Sequence, residues 1–189
     1  MSLPPVMPVN HAEISWYNML SQTDYRVPRL WRDWLFDAGS LTQRLLDASD
    51  GELTVHVIKQ QFQVPSLSER HVLGLPDRQQ ALIREVLLCG AGQPWVFARS
   101  VIPLTTLSGR LRRLRQLDNQ PLGALLFNDP TMTREAVEVA CVNADNNQLP
   151  CRSLCDESPV WGRRSVFRLD KKPLLVAEFF LPSFKPESR

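Results

Sequence analysis

Apolar and polar residues alternate along several segments of the chain, and this alternation predicts β-strands. Leu53, Val55 and Val57 alternate with polar Thr54 and His56, so residues 53–62 are predicted to form the first strand. Further strands are predicted over residues 81–89, 95–102, 134–142, 162–169 and 174–181. A short Gly-bearing connection joins 81–89 to 95–102, and residues 170–173 join the last two strands, which predicts two hairpins.

Helical spacing occurs in the stretches between these strands. Leu30, Trp31, Trp34 and Leu35 form a helical stripe after Pro28. A second short helix over 41–48, capped at residue 40, and a third marked by leucines at 111, 114 and 117 are also predicted. The stretches 64–77 and 143–159 are rich in turn-forming residues and are predicted to be loops.

These elements predict an α+β fold with about six strands and three or four short helices. Most connections are shorter than the dozen or so residues that a parallel crossover needs, so the sheet should be largely antiparallel. We expect the helices to group on one face of it. A chain of 189 residues suits one domain, predicted over residues 25–189 after a loose lead-in at 1–24.

Composition excludes several classes of protein. The 22 basic and 20 acidic residues leave a net charge of +2, which does not indicate nucleic-acid binding. No stretch approaches the ~20 apolar residues of a membrane span, and the N-terminus does not have the pattern of a secretory signal. We therefore expect a cytoplasmic protein with reduced cysteines. We expect no metal site, because Cys151 and Cys155 have no histidine partners at a metal-binding spacing.

Ionisable residues on apolar strand faces are the strongest functional signal. Glu178 alternates with apolar residues in the last predicted strand, and Arg84 and Arg99 do so in two others. An isolated buried carboxylate costs several kcal/mol, and an arginine cannot shed its charge by deprotonating.

Two interpretations fit these buried charges. In the first, Arg84 or Arg99 forms a buried ion pair with Glu178 or Glu85. In the second, the charges line a closed pocket for a carboxylated small molecule. An arginine would then clamp the anion, and Glu178 would move a proton or bind a hydroxyl.

Other arginines are predicted to lie at the surface. The run at positions 110, 112, 113 and 115 has no interleaved aromatic residues and is expected to be a solvated helix face. Arg163 and Arg164 point to opposite faces of a predicted strand, so we expect at least one of them to be a surface charge.

Several short segments carry a resemblance to a known family. They occupy residues 40–44, 84–89, 94–95, 98–99, 106–109, 121–123, 133–134, 161–165 and 173–182, in family order along the chain. In these segments the chain resembles the chorismate pyruvate-lyase family. The resemblance implies an antiparallel sheet with two flaps closing over a buried site.

The resemblance also implies which residues contact the substrate. These are Leu41, Arg84, Leu122 and Glu178, with Arg84 and Glu178 carrying the chemistry. Arg99 matches a second arginine that lines the interior. The implied reaction splits chorismate into 4-hydroxybenzoate and pyruvate for ubiquinone biosynthesis, in a cofactor-independent and monomeric enzyme.

A binding protein of the same fold is the alternative. Ligand-sensing domains of some bacterial transcription regulators share the fold and catalyse nothing. Those regulators carry an N-terminal DNA-binding domain. Here only ~50 residues precede the first predicted strand, and they show no basic helix-turn-helix pattern, which favours the enzyme.

Overall fold

A computed structural model describes residues 14–18, 27–142, 149, 154 and 158–186. The strands are β1 (Tyr17–Asn18), β2 (Leu53–Gln63), β3 (Ala81–Gly90), β4 (Gln93–Pro103), β5 (Thr133–Arg134), β6 (Glu138–Val142), β7 (Val160–Leu169) and β8 (Lys172–Phe180). The helices are α1 (Arg29–Leu35), α2 (Leu41–Ala48), α3 (Leu67–Leu73) and α4 (Leu122–Phe127), with a 3-10 helix at Gly109–Gln116. In this part of the chain no helix has the length and apolarity to cross a membrane.

All eight strands belong to one antiparallel sheet, which confirms the predicted fold class. The strand order is β1-β6-β7-β8-β4-β3-β2, and β5 also pairs with β7. Both predicted hairpins form. The β7–β8 turn has positive φ at Asp170 and Lys171 (50° and 64°), and the β3–β4 turn has positive φ at Ala91 and Gly92 (48° and 73°). Such two-residue turns match the twist of antiparallel strands and fix their register.

Three local elements differ from the predictions. Tyr17–Asn18 in the predicted lead-in pairs with β6 as an edge strand. The predicted strand 134–142 forms as two pieces, β5 and β6, both paired with β7. The predicted loop 64–77 contains α3, which begins with a reciprocal capping box between Ser66 and Glu69 and ends at Gly74 with φ 63°. These two cap signals outweigh the turn-rich composition of the segment.

The sheet is covered on both faces. We call the face that carries Arg84 and Glu178 the front face, and the face that carries Glu85 and Arg99 the back face. Helices α1 and α2 pack on front-face residues of β3 and β4, and the 3-10 helix and α4 pack beside them. On the back face Leu73 of α3 packs against strand residues. The expectation that all helices group on one face is therefore wrong for α3.

A buried ion-pair cluster joins α3 to the back face. Arg99 Nε donates to Glu69 Oε1 at 2.6 Å and Arg99 Nη2 donates to Glu69 Oε2 at 3.0 Å, while Arg99 Nη1 also donates to Glu85. Of the ion pairs that the first interpretation allowed, the pair between Arg99 and Glu85 therefore forms. Burial by itself would raise the pKa of Glu69, but the hydrogen bonds and charge of Arg99 hold this pKa below its ordinary value.

Replacing Glu69 by Gln should destabilise the fold by about 3 kcal/mol, because it removes one partner of a buried ion pair. Since the folded-state pKa is lowered, the carboxylate stabilises fully above its ordinary value of 4.5 and loses this effect as the pH falls through the lowered value. Denaturant unfolding at several pH values should show the gap between wild type and variant narrowing in acid.

Glu135→Gln is the matched control. Glu135 pairs with Arg168 in an exposed ion pair, and such pairs contribute at most about 1 kcal/mol. Equal destabilisation by the two substitutions would contradict a structural role for the Glu69–Arg99 pair.

Candidate active site

The strand register brings Arg84 and Glu178 to the same face with β4 between them. Arg84 on β3 is level with Ser100 on β4, and Ser100 is level with Val176 on β8. Two residues along, Ala98 on β4 is level with Glu178 on β8. The small side chains of Ala98 and Ser100 therefore lie between the two charged residues. The two charged residues are thus separated on this face only by small side chains of β4.

Arg84 is a buried cation with unused hydrogen-bonding capacity. It is 2% exposed, and its Nη2 donates to the carbonyls of Asp118 (2.8 Å) and Gln120 (3.0 Å). Its Nε finds no hydrogen-bond partner among the described residues. Burial lowers the pKa of Arg84, and the nearby charge of Asp118 offsets part of that effect. A buried N–H without an acceptor is costly, so this guanidinium is suited to an anionic ligand.

Glu178 is held by Arg163, which is neither of the two partners expected from the sequence. Arg163 Nε donates to Glu178 Oε2 at 2.7 Å. Its Nη1 donates to the carbonyls of Trp34 and Asp37, each at 2.9 Å, in the segment from α1 to α2. Arg163 is 1% exposed.

Arg163 and Arg164 do lie on opposite faces, but neither is a surface charge. Arg164 is buried on the back face, where its Nε donates to Glu138 at 2.6 Å. The expectation of a surface arginine failed because helices or loops cover both faces of β7.

A third arginine, Arg134, reaches the front face from β5. Its Nε donates to Ser165 Oγ at 3.0 Å, its Nη1 donates to the carbonyl of Asp37 at 3.1 Å, and its guanidinium lies over the ring of Phe167. Burial, followed by the positive charge of Arg163, lowers the pKa of Arg134 to about 10. Arg134 lies in the segment 133–134 that carries part of the family resemblance, but the resemblance assigned it no contact with the substrate.

Leu41 and Leu122 cover this face. Leu41 is the first residue of α2 and Leu122 the first of α4, and both are buried. The two helix starts meet closely, because a Cβ added at Gly123 would lie only 2.7 Å from Thr42 Oγ1. As predicted, Ser40 caps α2, accepting a hydrogen bond from the backbone N–H at position 43. Of the four predicted contact residues, Arg84 and Glu178 therefore lie on the sheet, and Leu41 and Leu122 lie on the helices that cover its front face.

Arg99 does not belong to this group. It lies on the back face, where it is matched by the carboxylates of Glu69 and Glu85. Its interior position agrees with the resemblance, but its side chain faces a different layer of the core from Arg84 and Glu178.

A surface depression near α2 lies apart from the predicted residues. It has a volume of about 500 Å³ and is lined by Asp33, Asp37, Ser40, Gln43, Arg44 and Asp47. Its three carboxylates outnumber its one arginine, so it does not suit an anionic ligand.

The described ranges contain no cluster of three or more His, Cys, Asp or Glu side chains that could hold a metal ion. Cys89 is buried and its pKa is raised by burial, while Cys141 is exposed. Cys151 and Cys155 lie outside the described residues.

The fold is shared with domains of bacterial transcription regulators. The C-terminal domain of the histidine utilization repressor from Pseudomonas syringae superposes with a TM-score of 0.57 at 12% identity, covering 73% of this chain and 98% of that one. A GntR-family regulator from Bacillus cereus gives a TM-score of 0.54 at 14% identity, over 73% and 98% of the two chains. At these identities the likeness concerns the fold alone.

The sequence places the chain more narrowly. The family model described as chorismate lyase matches residues 13–187. A probable chorismate pyruvate-lyase from Marinobacter nauticus is 37% identical over 96% of this chain and 89% of its own. One from Methylococcus capsulatus is 43% identical over 79% and 93%, and a chorismate pyruvate-lyase from Erwinia tasmaniensis is 36% identical over 80% and 78%. The chain belongs to the chorismate lyase family.

Replacing Arg163 by Met should destabilise the fold by about 3–5 kcal/mol, because Glu178 would lose its guanidinium partner inside the protein. A double variant with Met at both positions should be more stable than Arg163→Met alone, since the unpaired carboxylate is then gone. Denaturant unfolding of wild type, Arg163→Met and the double variant gives the three free energies of unfolding to compare.

Arg168→Met is the control on the same strand. Its ion pair with Glu135 is exposed, so its loss should cost no more than about 1 kcal/mol. If the double variant has the lowest free energy of unfolding of the set, loss of the Arg163–Glu178 pair does not explain the destabilisation in Arg163→Met.

Proposed function

We propose that this protein is a chorismate pyruvate-lyase that eliminates pyruvate from chorismate to give 4-hydroxybenzoate. The observation that carries the proposal is the joint position of Arg84 and Glu178 on one covered face of the sheet, in a chain that belongs to the chorismate lyase family. Relatives named for this activity align over most of the chain.

The reaction is an elimination that makes the ring aromatic. The C–H bond at C4, beside the hydroxyl, breaks: its proton passes to solvent and its electron pair becomes the new double bond between C3 and C4. The ether bond between C3 and oxygen breaks, and the electron pair of this second bond leaves on the oxygen as the enolate of pyruvate. The methylene carbon of the enolate then takes up one proton from solvent, which gives pyruvate and balances the proton lost from C4. Aromatisation drives the reaction, so the protein has to bind, orient and assist proton movement.

Arg84 is assigned to the ring carboxylate. Its buried guanidinium has an N–H without a protein acceptor, and a carboxylate satisfies both its charge and its hydrogen bonding. Since Arg84 also donates to the Asp118 and Gln120 carbonyls, ligand binding is linked to the loop that leads into α4.

Glu178 is assigned to the 4-hydroxyl. Arg163 already donates to one of its oxygens, so the carboxylate is oriented to accept a further hydrogen bond from the substrate. This holds the carbon that loses its proton in a fixed position. In its protonated form the same carboxyl group would be a donor to the ether oxygen.

Leu41 and Leu122 are assigned to the apolar cover over the ring. Both side chains are buried where α2 and α4 meet, so ligand exchange requires these segments to move. Release of 4-hydroxybenzoate is therefore expected to be slow relative to the chemistry.

The cellular context is part of the same proposal. We assign the protein to the cytoplasm as a monomer that supplies 4-hydroxybenzoate for ubiquinone biosynthesis without a cofactor. Residues 25–189 are assigned to the catalytic domain and 1–24 to a lead-in, of which Tyr17–Asn18 pairs with the sheet.

Wild-type protein mixed with chorismate should produce 4-hydroxybenzoate. The product is detected by its ultraviolet absorbance, in a reaction that contains a chelator. Glu178→Gln should lower kcat by roughly 10²- to 10⁴-fold, the range for a lost proton-handling group. Its thermal midpoint should be measured alongside, so that a folding defect is recognised.

Glu138→Gln is the matched control for Glu178→Gln. Glu138 forms an ion pair with Arg164, just as Glu178 forms one with Arg163. Arg164 follows Arg163 on β7, so the Glu138–Arg164 pair lies on the back face. Its kcat should stay near wild type. A Glu178→Gln enzyme with wild-type turnover would remove Glu178 from the mechanism.

Arg84→Ala should raise the KM for chorismate by roughly ten- to a hundredfold, because a hydrogen bond to a charged group contributes about 1.5–3 kcal/mol. Arg84→Lys should recover part of this loss, since it keeps the charge but loses the fork of donors. Unchanged KM and kcat in Arg84→Ala would contradict the clamp.

The alternative is a non-catalytic small-molecule sensor, and the fold shared with GntR-family regulators is the observation in its favour. The same assay separates the two functions. A sensor would give no product but would show a raised thermal midpoint with chorismate or 4-hydroxybenzoate.

A further inference from the structure

Positive charge is in excess on the front face. Three guanidinium groups, from Arg84, Arg134 and Arg163, reach this face. Among the described residues only Arg163 has a carboxylate within ion-pair distance, that of Glu178. The side chain of Asp37 is directed to Arg44 instead. The excess matches a ligand with two negative charges.

Arg134 is the less satisfied of the two arginines near Glu178. No carboxylate of the described residues lies within ion-pair distance of its guanidinium, and its acceptors are the neutral Ser165 hydroxyl and Asp37 carbonyl. Burial and the neighbouring charge of Arg163 lower the pKa of Arg134, and the charges of Glu178 and Asp37 offset part of this effect. Arg134 is partly buried. A partly buried guanidinium without a carboxylate at ion-pair distance is unfavourable, and the carboxylate of a ligand would supply the missing partner.

The sheet places Arg134 across the site from Arg84. Ser165, which accepts from Arg134, is in the same cross-strand row as Arg84, with Ser100 and Val176 between them. Three strand spacings separate the ends of this row by roughly 14 Å. Glu178 lies beside the middle of the row. Arg84 and Arg134 therefore approach one site from opposite ends.

We infer that Arg134 binds the second carboxylate of the substrate, the one on the enolpyruvyl group, while Arg84 binds the carboxylate on the ring. This inference rests on the proposed function. It assigns a separate cation to each carboxylate of the dianion and leaves the Arg163–Glu178 pair to face the hydroxyl between them. Once pyruvate has left, Arg134 has no carboxylate to hold in the remaining product.

This assignment makes substrate and product respond differently to a substitution at Arg134. Chorismate has two carboxylates, whereas 4-hydroxybenzoate has only the ring carboxylate. Arg134→Gln should therefore lower kcat/KM for chorismate by roughly ten- to a hundredfold, the effect of losing a charge-assisted hydrogen bond. The inhibition constant of 4-hydroxybenzoate should stay at the wild-type value. Arg84→Ala, in contrast, should weaken both.

Two further variants complete the experiment. Arg134→Lys keeps the charge and should recover part of the kcat/KM, with the same unchanged inhibition constant. It also serves if Arg134→Gln does not fold. Arg168→Gln removes an exposed arginine beside β5 and should change neither constant.

Three other results would contradict either the assignment of Arg134 or the proposed function. Unchanged kcat/KM for chorismate in Arg134→Gln would overturn the assignment. So would an equal weakening of chorismate and 4-hydroxybenzoate, because Arg134 would then act on the ring carboxylate or on the structure of the site. Wild-type protein without turnover would contradict the proposed function itself, whatever the variants do.

Discussion

Arginines on strands that are covered on both faces must find hydrogen-bond acceptors inside the protein, because a guanidinium does not lose its charge by deprotonation. Arg163 shows how far this constraint reaches. Its acceptors are Glu178 on the neighbouring strand and the carbonyls of Trp34 and Asp37 in the segment between α1 and α2. The Asp37 carbonyl also accepts from Arg134. The arginines of the front face therefore tie the segment between α1 and α2 to the sheet through its main-chain carbonyls.

The two faces of the sheet meet this requirement differently. On the back face each buried arginine has a carboxylate, with Arg99 matched by Glu69 and Glu85. On the front face Arg84 is held only by main-chain carbonyls and keeps an N–H with no partner among the described residues. Arginines that already have carboxylate partners in the protein do not need an anion from a ligand. An incomplete set is the expected state of a site whose missing anion is the ligand.

The sequence was sufficient to predict most of the strands and to place Arg84 and Glu178 on apolar strand faces, because alternation with period two is a local property. It missed the short edge strand β1 and the break between β5 and β6. Which strands become neighbours is not local, so Arg163 was not among the partners that the ion-pair interpretation offered for Glu178. One signal was available, since the two-residue turn at Asp170 and Lys171 sets the register that pairs Arg163 with Glu178. The roles of Leu41 and Leu122 had no such signal and depended on the family resemblance.

The shared sheet of regulators and lyases shows why the side chains, rather than the fold, decide the chemistry. A binding protein needs only a ligand that completes its charges. A lyase also needs interactions that are stronger in the transition state than in the bound substrate. The proposed role of Glu178 is consistent with this requirement, because Arg163, itself held by two main-chain carbonyls, donates a hydrogen bond that orients the carboxylate. A side chain that is already oriented in the folded protein does not have to be reoriented during the reaction. Groups preorganised in this way stabilise the charge that develops in the transition state most effectively.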